Sequence, residues 1–128
     1  MSRTYKDSKI YCCFTLNRLV SELGIDLYQV DLEAKLEGIL GQGQTGLSKE
    51  EIKHEIRSNH FMTNKVIDQL EQDGLIEVEN KEGRYLIKIT KAGVLHIRKH
   101  NEFFLKIYEE QIREHYLYRG LPHWARKD

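Results

Sequence analysis

The stretch Leu70–Gly93, "LEQDGLIEVENKEGRYLIKITKAG", decides the fold. A helical pattern ends at Gly74, because glycine takes the left-handed conformation past a helix C-terminus without strain. "LIEVE" then places Ile76 and Val78 on one face and Glu77 and Glu79 on the other. "NKEG" turns the chain, and "RYLIKIT" returns with Tyr85, Ile87 and Ile89 alternating, which predicts a hairpin with one buried side. Thr90 is placed to cap a new helix. Two strands this short make no stable sheet alone, so the hairpin must lean on the helices around it.

Upstream, "LSKEEIKHEIR" opens with a capping box. The Ser48 side chain is set to accept from Glu51 N–H while the Glu51 carboxylate returns to Ser48 N–H. Ile52 and Ile56 supply its buried stripe, and "RSNH" ends it after about three turns. A second helix is predicted over Phe61–Asp73 with Val66, Ile67 and Leu70 inward, so the pair reads as helix-turn-helix. Earlier helices are expected at Ile10–Leu23, with Gly24 as its cap, and at Tyr28–Leu40. "GQGQTG" breaks the latter.

The expected class is α+β: a mainly helical winged helix-turn-helix with a two-stranded wing and a long C-terminal helix. "VIDQLEQDGLIEVENKEGRYLIKITKAG" resembles the recognition-helix end, wing and following helix start of winged helix-turn-helix regulators of the MarR and PadR type. "QLEQDGLI" and "ITKAG" carry the likeness most clearly, and it covers about residues 28–95. "YCCFTLNRLVSELG" and "HYLYRGLPHWARKD" lie outside it. The expected organisation is an N-terminal arm and dimerisation helix (1–27), a winged domain (28–93), and a C-terminal dimerisation helix with a basic tail (94–128).

Lys91–Arg119 reads as one helix of roughly 40 Å at 1.5 Å per residue. Val94, Ile97, Phe104, Leu105, Tyr108 and Ile112 form its apolar stripe, with Phe103, Ile107 and Leu117 alongside. A single domain covers only part of such a stripe, so a homodimer is expected, its seam built from Leu16, Leu19, Phe104, Tyr108 and Ile112. The alternative is a helix folded back on its own domain.

The resemblance implies a helix in a DNA major groove. Setting Val66 and Leu70 inward points Phe61, Asn64, Lys65, Asp68 and Gln72 outward, with His60 and Gln69 at the flanks. The expected DNA-binding set is Arg57, Ser58, Asn59, His60, Thr63, Asn64, Lys65, Gln69, Lys81 and Arg84. Net charge is zero, yet residues 26–80 hold 12 acids and 5 bases while residues 81–128 hold 11 bases and 6 acids. No acid lies between Glu55 and Asp68, where Arg57, His60 and Lys65 fall. None lies between Glu82 and Glu102, where Arg84, Lys88, Lys91, Arg98 and Lys99 fall. These windows fit phosphate contacts.

No apolar run reaches membrane-spanning length, and "MSRTYKDSK" lacks a signal peptide's apolar stretch. A cytoplasmic protein is expected. Adjacent Cys12 and Cys13 read as small buried hydrophobes rather than a disulfide or thiol sensor. His96 and His100 stand one helical turn apart, but no further ligand spacing accompanies them, so no metal is expected. Trp124 reads as a packing anchor. Without a phosphate loop or nucleophile–base set, neither an enzyme nor a cofactor is expected. The leading expectation is a homodimeric transcriptional regulator. The alternatives are a winged-helix protein-interaction module and a replication or plasmid-maintenance DNA-binding protein.

Overall fold

The computed structural model describes residues 8–42, 44, 46–117 and 120–125. The expected arm at 1–7, the tail at 126–128 and residues 118–119 lie outside them. The fold is α+β and mostly helical. In chain order come α1 (Ser8–Leu23), α2 (Leu32–Gly41), β1 (Leu47–Ser48), α3 (Lys49–Ile56), α4 (His60–Gln72), β2 (Ile76–Lys81) and β3 (Arg84–Ile89). Then follow α5 (Lys91–Ile107), α6 (Glu109–His115) and a single 3-10 turn, His123–Ala125. No described helix is long and apolar enough to cross a membrane.

Most predicted elements form, with local reasons visible. At α3, Ser48 N–H donates to Glu51 Oε1 at 2.9 Å and Glu51 N–H donates to Ser48 Oγ at 3.0 Å, completing the capping box. At the end of α4, Gly74 N–H donates to Glu71 O and Leu75 N–H to Leu70 O, both at 3.0 Å. Gly74 has φ 74°, so the ending is a Schellman motif. The hairpin turn is tighter than "NKEG" suggests. Asn80 and Lys81 stay in β2, and only Glu82 (φ 55°) and Gly83 (φ 80°) turn the chain. Two successive positive φ values make a type I′ turn, whose twist matches that of paired strands.

The sheet has three strands among the described residues, in the order β1-β3-β2 and all antiparallel, rather than the expected two. β1 pairs Leu47 with Ile87 and Ser48 with Leu86. Gln44 extends that edge: its Nε2 donates to Ile89 O at 2.7 Å and its Oε1 accepts from Ile89 N–H at 3.1 Å. A side-chain amide here does the pairing of one more strand residue.

The terminal helices depart further from expectation. α1 is central, with Ile10, Cys13, Phe14, Leu16 and Leu19 each at most 1% exposed. Fully burying side chains of this kind stabilises by about 1.5–3 kcal/mol apiece. Leu16 and Leu19 therefore belong to the chain's own core and not to a dimer seam. The long helix after Thr90 is also two helices, bent at Tyr108 (φ −100°, ψ 18°). The bend returns Ile112 and Tyr116 to the core, each 4% exposed, so Ile112 too is withdrawn from a seam. Phe104 and Tyr108 are half-buried against the same core. The exposed apolar residues nearby are Phe103, Ile107 and Leu117.

α6 also completes α3. The His115 ring nitrogen Nε2 donates to Ile56 O at 2.5 Å, and Tyr116 Oη donates to Glu55 O at 3.4 Å. These are carbonyls of the last turn of α3, which no helical partner reaches. His115 stacks on Phe14, 5.1 Å between centroids, and Trp124 packs on Phe14 at 5.4 Å, so Trp124 is a packing anchor.

α5 starts in close contact with the α4–β2 connection. A Cβ on Gly93 would overlap Leu75 O and come within 2.7 Å of Ile89 Cγ1. Gly93→Ala is expected to destabilise the fold by about 1–3 kcal/mol, the usual effect of overpacking. Urea unfolding of the two proteins measures it, and an unchanged midpoint would contradict the packing described.

Candidate nucleic-acid interface

The turn between α3 and α4 is built by its polar side chains. Arg57 closes α3 in the left-handed region, with φ 54° and ψ 48°. A non-glycine residue there costs about 1–2 kcal/mol. Asn59 caps α4, its Oδ1 accepting from Met62 N–H at 2.7 Å. Thr63 Oγ1 donates to Asn59 O at 2.8 Å, so its single proton is used and the contact with Ser58 Oγ makes Ser58 the donor. Thr63 is 2% exposed. It shapes the turn from inside, so the expectation that it contacts DNA is corrected, while half-buried Ser58 has its proton engaged.

α4 divides as its periodicity predicts. Thr63, Val66, Ile67 and Leu70 are buried, while Phe61, Lys65, Asp68 and Gln72 are exposed and Asn64 is half-exposed. His60 and Gln69 flank them, both exposed. Asn64 Nδ2 lies 3.1 Å from His60 Nε2, and the Gln69 amide donates to both Asp73 carboxylate oxygens at 3.2 Å. Phe61 is 75% exposed, a large ring left in solvent on the polar face of a short helix.

The hairpin presents two cations at its tip. Lys81 and Arg84 are direct cross-strand partners flanking the Glu82–Gly83 turn, and both are exposed. Like charges at such positions repel. Arg84 has no ion-pair partner among the described residues, so the pairing with Glu77, Glu79 or Glu82 that would neutralise it is not formed. Glu79 instead meets Lys88 at 3.3 Å, which removes Lys88 from the free cations of its acid-free window. Lys49 lies over the Tyr85 ring, 5.0 Å from its centroid.

Surface cations thus fall into two groups. Arg18, Lys35, Lys53, Lys88 and Arg113 are held by carboxylates. Arg57, Lys65, Lys81 and Arg84 have no ion-pair partner among the described residues, nor do Lys91, Arg98 and Lys99 beyond them. No arrangement of three or more His, Cys, Asp or Glu suited to a metal occurs among the described residues. The His96 and His100 rings lie 4.6 Å apart, and burial together with the His100 charge lowers the His96 pKa. Burial pushes the Cys13 thiol up to about 12, far from a reactive thiolate. Comparison with protein-family models, curated proteins and solved structures returned no match.

The sequence alone missed the inward role of Thr63. Its signal is the spacing Asn59–Thr63, which lets a threonine hydroxyl bond the carbonyl four residues back. Asn59→Ala removes a cap and is expected to cost about 0.5–2 kcal/mol. Arg57→Gly relieves the left-handed strain and is expected to leave the thermal midpoint unchanged or raised. Thermal unfolding followed by circular dichroism checks both, and a large loss in Arg57→Gly would show that the arginine side chain holds the turn.

Proposed function

We propose that the chain is a winged helix-turn-helix protein that binds double-stranded DNA sequence-specifically, as a homodimeric transcriptional regulator. In this reading α4 enters the major groove, which admits a helix of its width. The hairpin is the wing, and Lys81 and Arg84 meet phosphate beside it. The observation that carries the reading is the set of exposed cations with no ion-pair partner among the described residues, above all the facing pair at the hairpin tip. Lys81 faces Arg84 across the hairpin, an arrangement that works against stability unless an anion meets it, and Arg57 adds an exposed cation on the α3–α4 turn. Asn64 and Gln69 offer donor–acceptor pairs for base edges, Lys65 a cation for guanine or phosphate, and Phe61 an apolar surface for a thymine methyl.

Phe61 and Asp68 on the same face also favour a second reading, a protein-interaction module whose α4 never touches DNA. DNA-affinity measurements decide between the two. Asn64→Ala and Lys65→Ala are each expected to weaken binding to a selected site by about 1–3 kcal/mol without unfolding. Arg84→Ala is expected to weaken selected and random DNA equally and to lower the salt slope by about one unit, since one fewer counterion is released. Wild-type affinity and slope in all three variants would favour the protein-interaction reading.

The dimer rests on Phe103 and Ile107, which are 60% and 52% exposed one turn apart on α5. Phe103→Glu is expected to shift the protein to monomer in sedimentation at tens of micromolar, roughly where a weak dimer still forms. A monomeric wild type would remove the dimer from the proposal.

A further inference from the structure

Tyr85 continues the alternation of Ile87 and Ile89 along β3, yet they are buried and it is 49% exposed. Its ring meets a cation instead of a core. Lys49, the first residue of α3, holds its ammonium 5.0 Å from the ring centroid, within the range of a cation–π contact. Lys49 has no ion-pair partner among the described residues. A lysine carries its charge on a flexible four-carbon stem, so an ammonium resting on a ring is presented at one place rather than swept through solvent. Lys49 and Tyr85 line an open groove between the start of α3 and β3, with Ser48, Glu51 and Arg84 also in its wall.

Two cations and one carboxylate thus border the groove among the described residues. The carboxylate is committed to the fold, because Glu51 Oε1 accepts from Ser48 N–H at 2.9 Å in the capping box. Arg84 is also one of the two facing cations at the hairpin tip, so the groove continues the basic surface of the wing. We propose that Lys49, steadied by Tyr85, binds a second backbone phosphodiester of duplex DNA beside the one that Arg84 meets. Tyr85 acts through Lys49 and is a positioning residue. A phosphate contact fixes the orientation of the protein on the duplex and carries no sequence information. This inference rests on the DNA reading above and extends that contact surface from the hairpin to the start of α3.

The full chain is titrated onto a selected duplex and onto a random one across a range of salt, with Arg84→Ala for comparison. Lys49→Gln is expected to lower the salt slope by about one unit on both duplexes, since one counterion fewer is released. Tyr85→Leu removes the ring and is expected to weaken both duplexes about two- to fivefold at fixed salt, the usual size of an exposed cation–π contact. Tyr85→Phe keeps the ring and is expected to bind as the wild type does. In a Lys49→Gln background, Tyr85→Leu is expected to add nothing, because the ring acts only through the lysine. A role confined to folding would instead move the urea midpoint of Lys49→Gln and leave its salt slope unchanged. Two results would overturn the proposal and leave the DNA reading in place: a wild-type slope in Lys49→Gln where Arg84→Ala lowers it, or the same loss from Tyr85→Leu with and without Lys49. A wild type with no affinity for either duplex would overturn both.

Discussion

The fold depends on one junction, where the start of α5 is pressed against the carbonyl of Leu75. Thr90 makes it. Its N–H donates to Leu75 O at 3.1 Å, its hydroxyl donates to Gly74 O at 2.7 Å, and the same oxygen accepts from Gly93 N–H at 3.0 Å. One residue thereby caps α5, closes the hairpin base and holds the end of α4. The contact requires a residue without Cβ at Gly93 and a left-handed one at Gly74. If α4 and the hairpin read DNA together, this junction fixes the angle between them.

A second constraint operates at the centre of the molecule. α1 crosses α5 through the hydrogen bond from Asn17 to Asn101, two side chains that are only 3% and 4% exposed. Leaving either partner unpaired there would cost about 1–3 kcal/mol, so the pair disfavours sliding one helix along the other. Arg18 adds a tie from α1 to α3, reaching Glu55 at 3.3 Å as well as Glu22 at 2.9 Å. From the far end of the chain, His115 and Tyr116 bond the last carbonyls of α3. The α3–α4 turn is thus held from within by Thr63 and from outside by α6.

The sequence made visible whatever is governed by local rules. Ser48 and Glu51, Gly74, the alternation around Gly83 and Thr90 each specify their own backbone, and the stripe Val66–Leu70 sets which face of α4 is outward. What it hid is set by tertiary contact. β1 is two residues long, too short to alternate, and exists because Leu47 and Ser48 lie beside Ile87 and Leu86. The bend at Tyr108 has neither proline nor glycine to announce it, and burial of Ile112 and Tyr116 accounts for it. The central place of α1 did leave a trace. Between Ile10 and Val20 the only charge is Arg18, and a helix apolar nearly all round is a buried one. Treating its apolar residues as a seam for a partner overlooked the chain's own need for a core.

The zero net charge is a poor guide to what this surface attracts. Exposed ion pairs such as Lys35–Asp31 and Arg113–Glu109 contribute little to stability and present no net field. At physiological salt, charges further apart than about 8 Å are largely screened, so an approaching polyanion responds to the nearest groups and not to the total. Across residues 57–68 and 81–84, the α3–α4 turn with the start of α4 and the hairpin tip, the cations are Arg57, Lys65, Lys81 and Arg84 and the acids are Asp68 and Glu82. Four cations against two carboxylates is a modest excess. Under the proposed reading that excess acts at short range, each cation against the phosphate nearest to it.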